Sequence, residues 1–139
     1  MRLDAQVKRL DAAKSNVANA LSFTQTQDGY LTKIAKALDR MSELAIMSQD
    51  VTKSDADRTL YNQEFTQLSA FVTTSSTKDF NGVSLFSSSS LGVTIDSDGN
   101  TFSMSGINLG ATTYSTATAS TISTTSRYIY SVSSPLMRT

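Results

Sequence analysis

The chain has no cysteine, no histidine and no tryptophan, and its 139 residues include one proline, Pro135. Without cysteine, neither a disulfide nor a thiolate metal site can form. Without histidine, the commonest general base and the commonest metal ligand are both missing. An excess of one charge is missing too: 12 basic residues stand against 12 acidic ones. Nucleic acid or an anionic membrane as main partner would call for clustered Lys and Arg, so no nucleic acid and no membrane partner is expected. No apolar run approaches the roughly 18 residues that a bilayer-spanning helix needs. The opening residues Met1-Arg2-Leu3-Asp4-Ala5-Gln6 are charged where a cleaved secretory signal would be apolar. No spacing supports catalysis, and the expectation is a single domain with no enzyme activity, no metal and no cofactor.

What is present is helical surface. Residues 3–49 contain no proline and one glycine, Gly29. One apolar stripe steps by four and three through Leu3, Val7, Leu10, Val17, Leu21, Leu31 and Leu38, and a second runs beside it through Phe23, Tyr30, Ile34, Met41 and Leu44. The band is wider than the seam of a two-stranded coiled coil. Lys14 and Asp28 also fall on the first stripe, where a zipper would carry Leu. A helix that touches two different neighbours is favoured over a simple bundle helix.

Residues 49–53 break the period, and Ser54 followed by Asp57 reads as a helix start. The hydroxyl serves as N-cap, and the carboxylate three residues on meets the exposed backbone N–H groups and the dipole. Over residues 55–76, Tyr61, Phe65, Leu68 and Val72 form a heptad stripe flanked by Leu60 and Phe71. So short a connection predicts an antiparallel helical hairpin over residues 1–78. Its shared face is expected to hold Leu31, Ile34, Leu38 and Met41 from one helix and Tyr61, Phe65, Leu68 and Val72 from the other.

At Lys78 the pattern changes. Asn81-Gly82 is a turn signal, and Leu91, Val93 and Ile95 then alternate with small or polar residues. Residues 96–100 (DSDGN) form a loop before Phe102 and Met104 alternate again, which predicts a β-hairpin region over 79–110. The loop has a calcium-binding flavour, but no Glu follows Glu64 to complete a ligand set, so a plain turn is preferred. Residues 111–126 are mostly Ser and Thr, too poor in apolar surface to offset their ordering entropy. A surface loop, a site of O-linked glycan or, most simply, disorder are the readings for 111–126; the last 13 residues (RYIYSVSSPLMRT) declare no type, and 111–139 as a whole is expected to be a disordered segment and tail.

Three stretches together resemble the N-terminal half of the bacterial flagellin family. Residues 19–31 (NALSFTQTQDGYL) look like the family's Asn-x-x-x-Ser-x-x-Gln-Thr-x-x-Gly-x-Leu segment, and residues 38–49 (LDRMSELAIMSQ) resemble its Leu-Gln-Arg-Met-Arg-Glu-Leu-Ala phrase. Residues 54–68 (SDADRTLYNQEFTQL), followed by Phe80-Asn81-Gly82, are similar to its second helix and the turn after it. The order and spacing of the three carry the resemblance, over a little under half of the chain. The family's Ser-Ser-Gly opening and its returning C-terminal helix have no counterpart in this sequence, and residues 127–139 resemble nothing in the family.

The resemblance implies a mainly α fold and a structural subunit of the extracellular flagellar filament, serving motility by self-assembly. Its implied partners are other flagellin subunits, the flagellar export machinery and a chaperone, with export that needs no cleaved signal peptide. Subunit or helix packing would fall to Leu31, Ile34, Leu38, Met41, Leu44, Tyr61, Phe65 and Leu68. Some flagellins are recognised by a vertebrate Toll-like receptor through the first helix, and the matching positions are Arg40, Glu43 and Leu44. Ser42 and Met47 depart from the Arg and Gln that the family often has there. Against a receptor role, stripe residues such as Leu44 are more often core than recognition surface. The alternatives are the related hook–filament junction protein and a secreted adhesin or carbohydrate-binding stalk, whose surface aromatics would be Phe102 and Tyr114.

Overall fold

A computed structural model describes residues 2–119 and Ile122. The elements in chain order are α1 (Arg2–Ser48), α2 (Asp55–Ser76), β1 (Asp79–Phe80), β2 (Val83–Ser84), β3 (Leu91–Thr94), β4 (Thr101–Met104) and α3 (Thr112–Ala119). The mainly helical architecture and the small antiparallel strand pairs agree with the sequence reading.

The boundaries have local causes. Ser54 is extended at φ −76° and ψ 164°, and its Oγ accepts the Asp57 N–H at 3.2 Å. The Asp57 carboxylate in turn accepts the Ser54 N–H at 3.0 Å, closing a reciprocal capping box. At the other side of the turn, the α1 C-terminus is met by Arg58. Its Nε donates to the Ser48 carbonyl at 3.0 Å, at the helix end where carbonyls lack an internal partner, and its Nη2 to the Asp50 carbonyl in the turn at 3.2 Å.

Asn81 and Gly82 both have positive φ, 51° and 78°, as a type I′ turn requires, and the turn pairs Phe80 with Val83 and Asp79 with Ser84. β3 and β4 pair antiparallel, Val93 opposite Phe102 and Leu91 opposite Met104. The loop between them is tied by Asp96, whose Oδ1 accepts from the N–H groups of Asp98 and Asn100, both at 2.9 Å. Its Oδ2 accepts from the Asn100 side chain, so this carboxylate is committed to the turn, as the plain-turn reading expects.

The described residues pack into two units. The first contains residues 2–29 and 78–108. In it Phe23 meets Phe80 edge to face at 6.0 Å between ring centroids, and the buried Gln27 amide donates to the Leu85 carbonyl at 2.6 Å. Leu85 and Phe86 are buried beside these contacts. The second unit contains residues 30–77, 109–119 and Ile122. Its core is Met41, Leu44, Ala45, Phe65, Ala117 and Ile122, with Leu38, Met47, Tyr61 and Leu68 packed around it. α1 and α2 run antiparallel there: Ser48 lies against Arg58, and Arg40, earlier in α1, lies against Glu64, later in α2.

One expectation is corrected. Thr112–Ala119 is a helix, not the disordered or loop segment that its composition suggested. The reason is tertiary: Ala117 and Ile122 are buried in the second core, and Ser69 of α2 donates to the Thr118 carbonyl at 2.5 Å. Apart from Ile122, the remainder of the Ser/Thr-rich stretch and residues 127–139 lie outside the described residues.

Candidate functional site

The two stripes of α1 have different fates. Phe23, Ile34, Met41 and Leu44 of the second stripe are buried and Tyr30 is half-buried. Leu3, Val7, Leu10, Val17 and Leu21 of the first stripe are 46–74% exposed, whereas Leu31 and Leu38 are half-buried. A strict seven-residue repeat drifts by about 20° per heptad on a straight helix, so a stripe of this length does not keep to one face. In the first unit, the exposed members stand about 140° around the helix from Phe23 and Gln27 at 3.6 residues per turn. The result is a helix packed on one side and apolar and open on another.

Among the sequence-predicted packing residues, Ile34, Met41, Leu44, Phe65 and Val72 are buried, while Leu31, Leu38, Tyr61 and Leu68 are half-buried. Leu44 has no exposed surface at all. Arg40 and Glu43, named with it as an innate-receptor surface, are half-exposed and exposed, and they pair with one another at 3.0 Å. A receptor approaching this face would meet the two charges and not Leu44.

Arg40 also reaches across to α2. Its Nε donates to Glu64 Oε1 at 2.7 Å and its Nη2 to Oε2 at 3.2 Å, a bidentate pairing of guanidinium and carboxylate. Those bonds hold the Glu64 carboxyl below its ordinary range, and the same pairing raises the Arg40 value. Hydrogen bonds from Ser54 likewise lower Asp57, and bonds from Asn100 lower Asp96. All these carboxylates serve turns, caps or helix pairing.

A groove of about 370 Å³ lies in the first unit, with Asn16, Asn19 and Phe23 on α1 facing Phe80, Leu91 and Met104. Its lining has amides, apolar groups and the Thr94 hydroxyl, and no charged side chain. Among the described residues, no group of three or more Asp or Glu could hold a metal ion. The arrangement can pack against another surface.

Sequence reasoning missed Gln27, Arg58, Asn62 and Ser69. Gln27 was detectable as a polar residue one helical turn from Phe23, on the buried side. The others depend on contacts that no local pattern announces: Asn62 Oδ1 accepts the Ile122 N–H at 3.0 Å, a partner 60 positions away in sequence.

Comparison with known proteins supplies the family. Residues 1–90 match the family model described as the bacterial flagellin N-terminal helical region. The chain is 42% identical over 67 residues to the flagellar filament 41 kDa core protein of Borreliella burgdorferi, covering 48% of this chain and 20% of that protein. It is 37% identical over 67 residues to a flagellin of Halalkalibacterium halodurans, 48% of this chain and 25% of that one. It is 34% identical over 85 residues to the flagellar filament 31.3 kDa core protein of Treponema maltophilum, 60% and 30% of the two chains. The chain thus spans between a fifth and a third of the length of these relatives. By the match over residues 1–90, the chain belongs to the bacterial flagellin family, in its N-terminal helical region.

Proposed function

We propose that this chain serves as a structural subunit, or part of one, of an extracellular flagellar filament, and that it works by packing against other flagellin subunits without catalysis. The observation that carries the reading is the open apolar stripe Leu3, Val7, Leu10, Val17 and Leu21 on a helix whose other side is already packed. Apolar side chains at heptad spacing are worth about 1.5–3 kcal/mol each when fully buried, so a second helical surface is strongly favoured to cover them. Relatives named as flagellar filament core proteins favour the filament over the hook–filament junction. Delivery by the flagellar export machinery with a chaperone, without a cleaved signal peptide, belongs to the same reading. Toll-like receptor recognition is secondary in it, resting on Arg40 and Glu43.

Sedimentation velocity over a concentration series tests the reading. The chain should self-associate, and Leu10→Lys with Leu21→Lys should shift it toward monomer with helical content unchanged. A parent chain that stays monomeric throughout, or association indifferent to the two lysines, would count against the stripe as the assembly surface.

A further inference from the structure

The second unit carries an apolar patch whose cover is weak. Met41, Leu44, Ala45 and Phe65 are each at most 1% exposed, and α3 with Ile122 contributes to that burial through Ala117 and Ile122. Yet α3 is eight residues of Thr, Ser, Ala and one Tyr. Isolated helices shorter than about 12–15 residues are marginal even in Ala-rich sequences, and Thr and Ser rank low as helix formers. Its polar links to α2 include Ser69 Oγ donating to the Thr118 carbonyl and the Ile122 N–H donating to Asn62 Oδ1. Water can replace both on release, so each adds little net stability. The most buried side chains of the unit thus lie beneath its least self-sufficient helix.

We propose that α3 and Ile122 form a displaceable cover over the Met41–Leu44–Phe65 patch, and that a helix from a second copy of this chain takes its place. The choice of occupant rests on the self-assembly reading above. It is argued from the stripe Leu3, Val7, Leu10, Val17 and Leu21, which stands open and presents five large apolar side chains where the cover buries Ala117 and Ile122. Lys14 interrupts that stripe and can extend its ammonium to solvent along its own stem. Exchange of a small polar cover for a long apolar helix would couple exposure of the patch to encounter with another subunit, leaving the patch protected in the free chain.

Hydrogen exchange read by mass spectrometry tests the cover directly. Amides of residues 112–119 should exchange at least about tenfold faster than those around Phe65, because the cover opens without global unfolding. Asn62→Ala removes the acceptor for the Ile122 N–H while improving the helix propensity of α2, and Ile122→Asp places a charge on the patch. Both variants should bind more of an apolar fluorescent dye than the parent and gain mass with concentration, with α1 and α2 still helical by circular dichroism. Should Ile122→Asp lose that helicity, Asn62→Ala alone decides the matter. Equal exchange in α3 and the α2 centre, or unchanged dye binding, overturns the cover. Association that is equal in parent and variants also overturns it, while leaving the self-assembly reading intact. Increased dye binding with no gain in association overturns the second copy as the occupant.

Discussion

Arg40 of α1 and Glu64 of α2 form a two-pronged ion pair, 2.7 Å and 3.2 Å at its two bonds, that links the helices beside the buried Met41–Leu44–Phe65 core. Both side chains keep more than two-fifths of their surface exposed, so solvent screens the pair. Its value lies more in fixing the register of the two helices than in net stability.

The pair makes stability depend on pH with a defined sign. The folded-state value of Glu64 lies below its unfolded value, chiefly through the hydrogen bonds from Arg40. Its contribution is present above the ordinary glutamate value of about 4.3 and is lost as pH falls through the depressed folded value. Arg40→Ala should therefore lower the melting temperature slightly at pH 6 and not at all near pH 2. An equal loss at both pH values would assign the effect to packing of the arginine stem.

Leu44 and Leu21 should behave oppositely. Leu44 is fully buried, and Leu44→Ala is expected to cost about 2–5 kcal/mol in denaturant unfolding of the dilute chain. Leu21 is 58% exposed, and Leu21→Ala should change dilute-chain stability by less than about 0.5 kcal/mol while weakening self-association. Leu44→Ala without loss of stability, together with altered receptor signalling, would reassign that residue to recognition.

The Ser54 cap provides a local test. Ser54→Ala removes the acceptor for the Asp57 N–H and should destabilise α2 by about 1 kcal/mol, detectable as faster hydrogen exchange in its first turn. Asp57 is held below its ordinary value by the Ser54 bonds, so the cap too is strongest above about pH 4 and is lost in acid.

Two glycines of the β region should differ sharply. A Cβ on Gly106 would meet the backbone carbonyls of Ser87 and Ser89, the latter at 2.6 Å, so Gly106→Ala must displace main chain. A Cβ on Gly92 would meet only the Thr101 side chain at 3.9 Å, an ordinary contact. Gly106→Ala should shift amide resonances throughout the first unit, whereas Gly92→Ala should leave them near their starting positions.

Local rules were legible in the residues themselves. The Ser54–Asp57 box, the Asn81-Gly82 turn and the alternation of β3 and β4 each depend on backbone groups within a few positions, so short motifs specify them. α1 was also legible as an apolar, proline-free helix with two stripes. Which stripe would be covered was not, because periodicity records that a face is apolar and not what lies opposite. Only the fold showed Leu3 to Leu21 of the first stripe exposed in the first unit and Leu31 and Leu38 half-buried in the second, and placed Gln27 on the Leu85 carbonyl. α3 marks the sharpest limit. By composition Thr112–Ala119 cannot sustain a helix, and it forms one because a core 50 to 80 residues earlier in the chain buries Ala117 and Ile122. Hydrogen bonds between near neighbours are encoded where they occur; burial belongs to whichever distant surfaces the folded chain brings together.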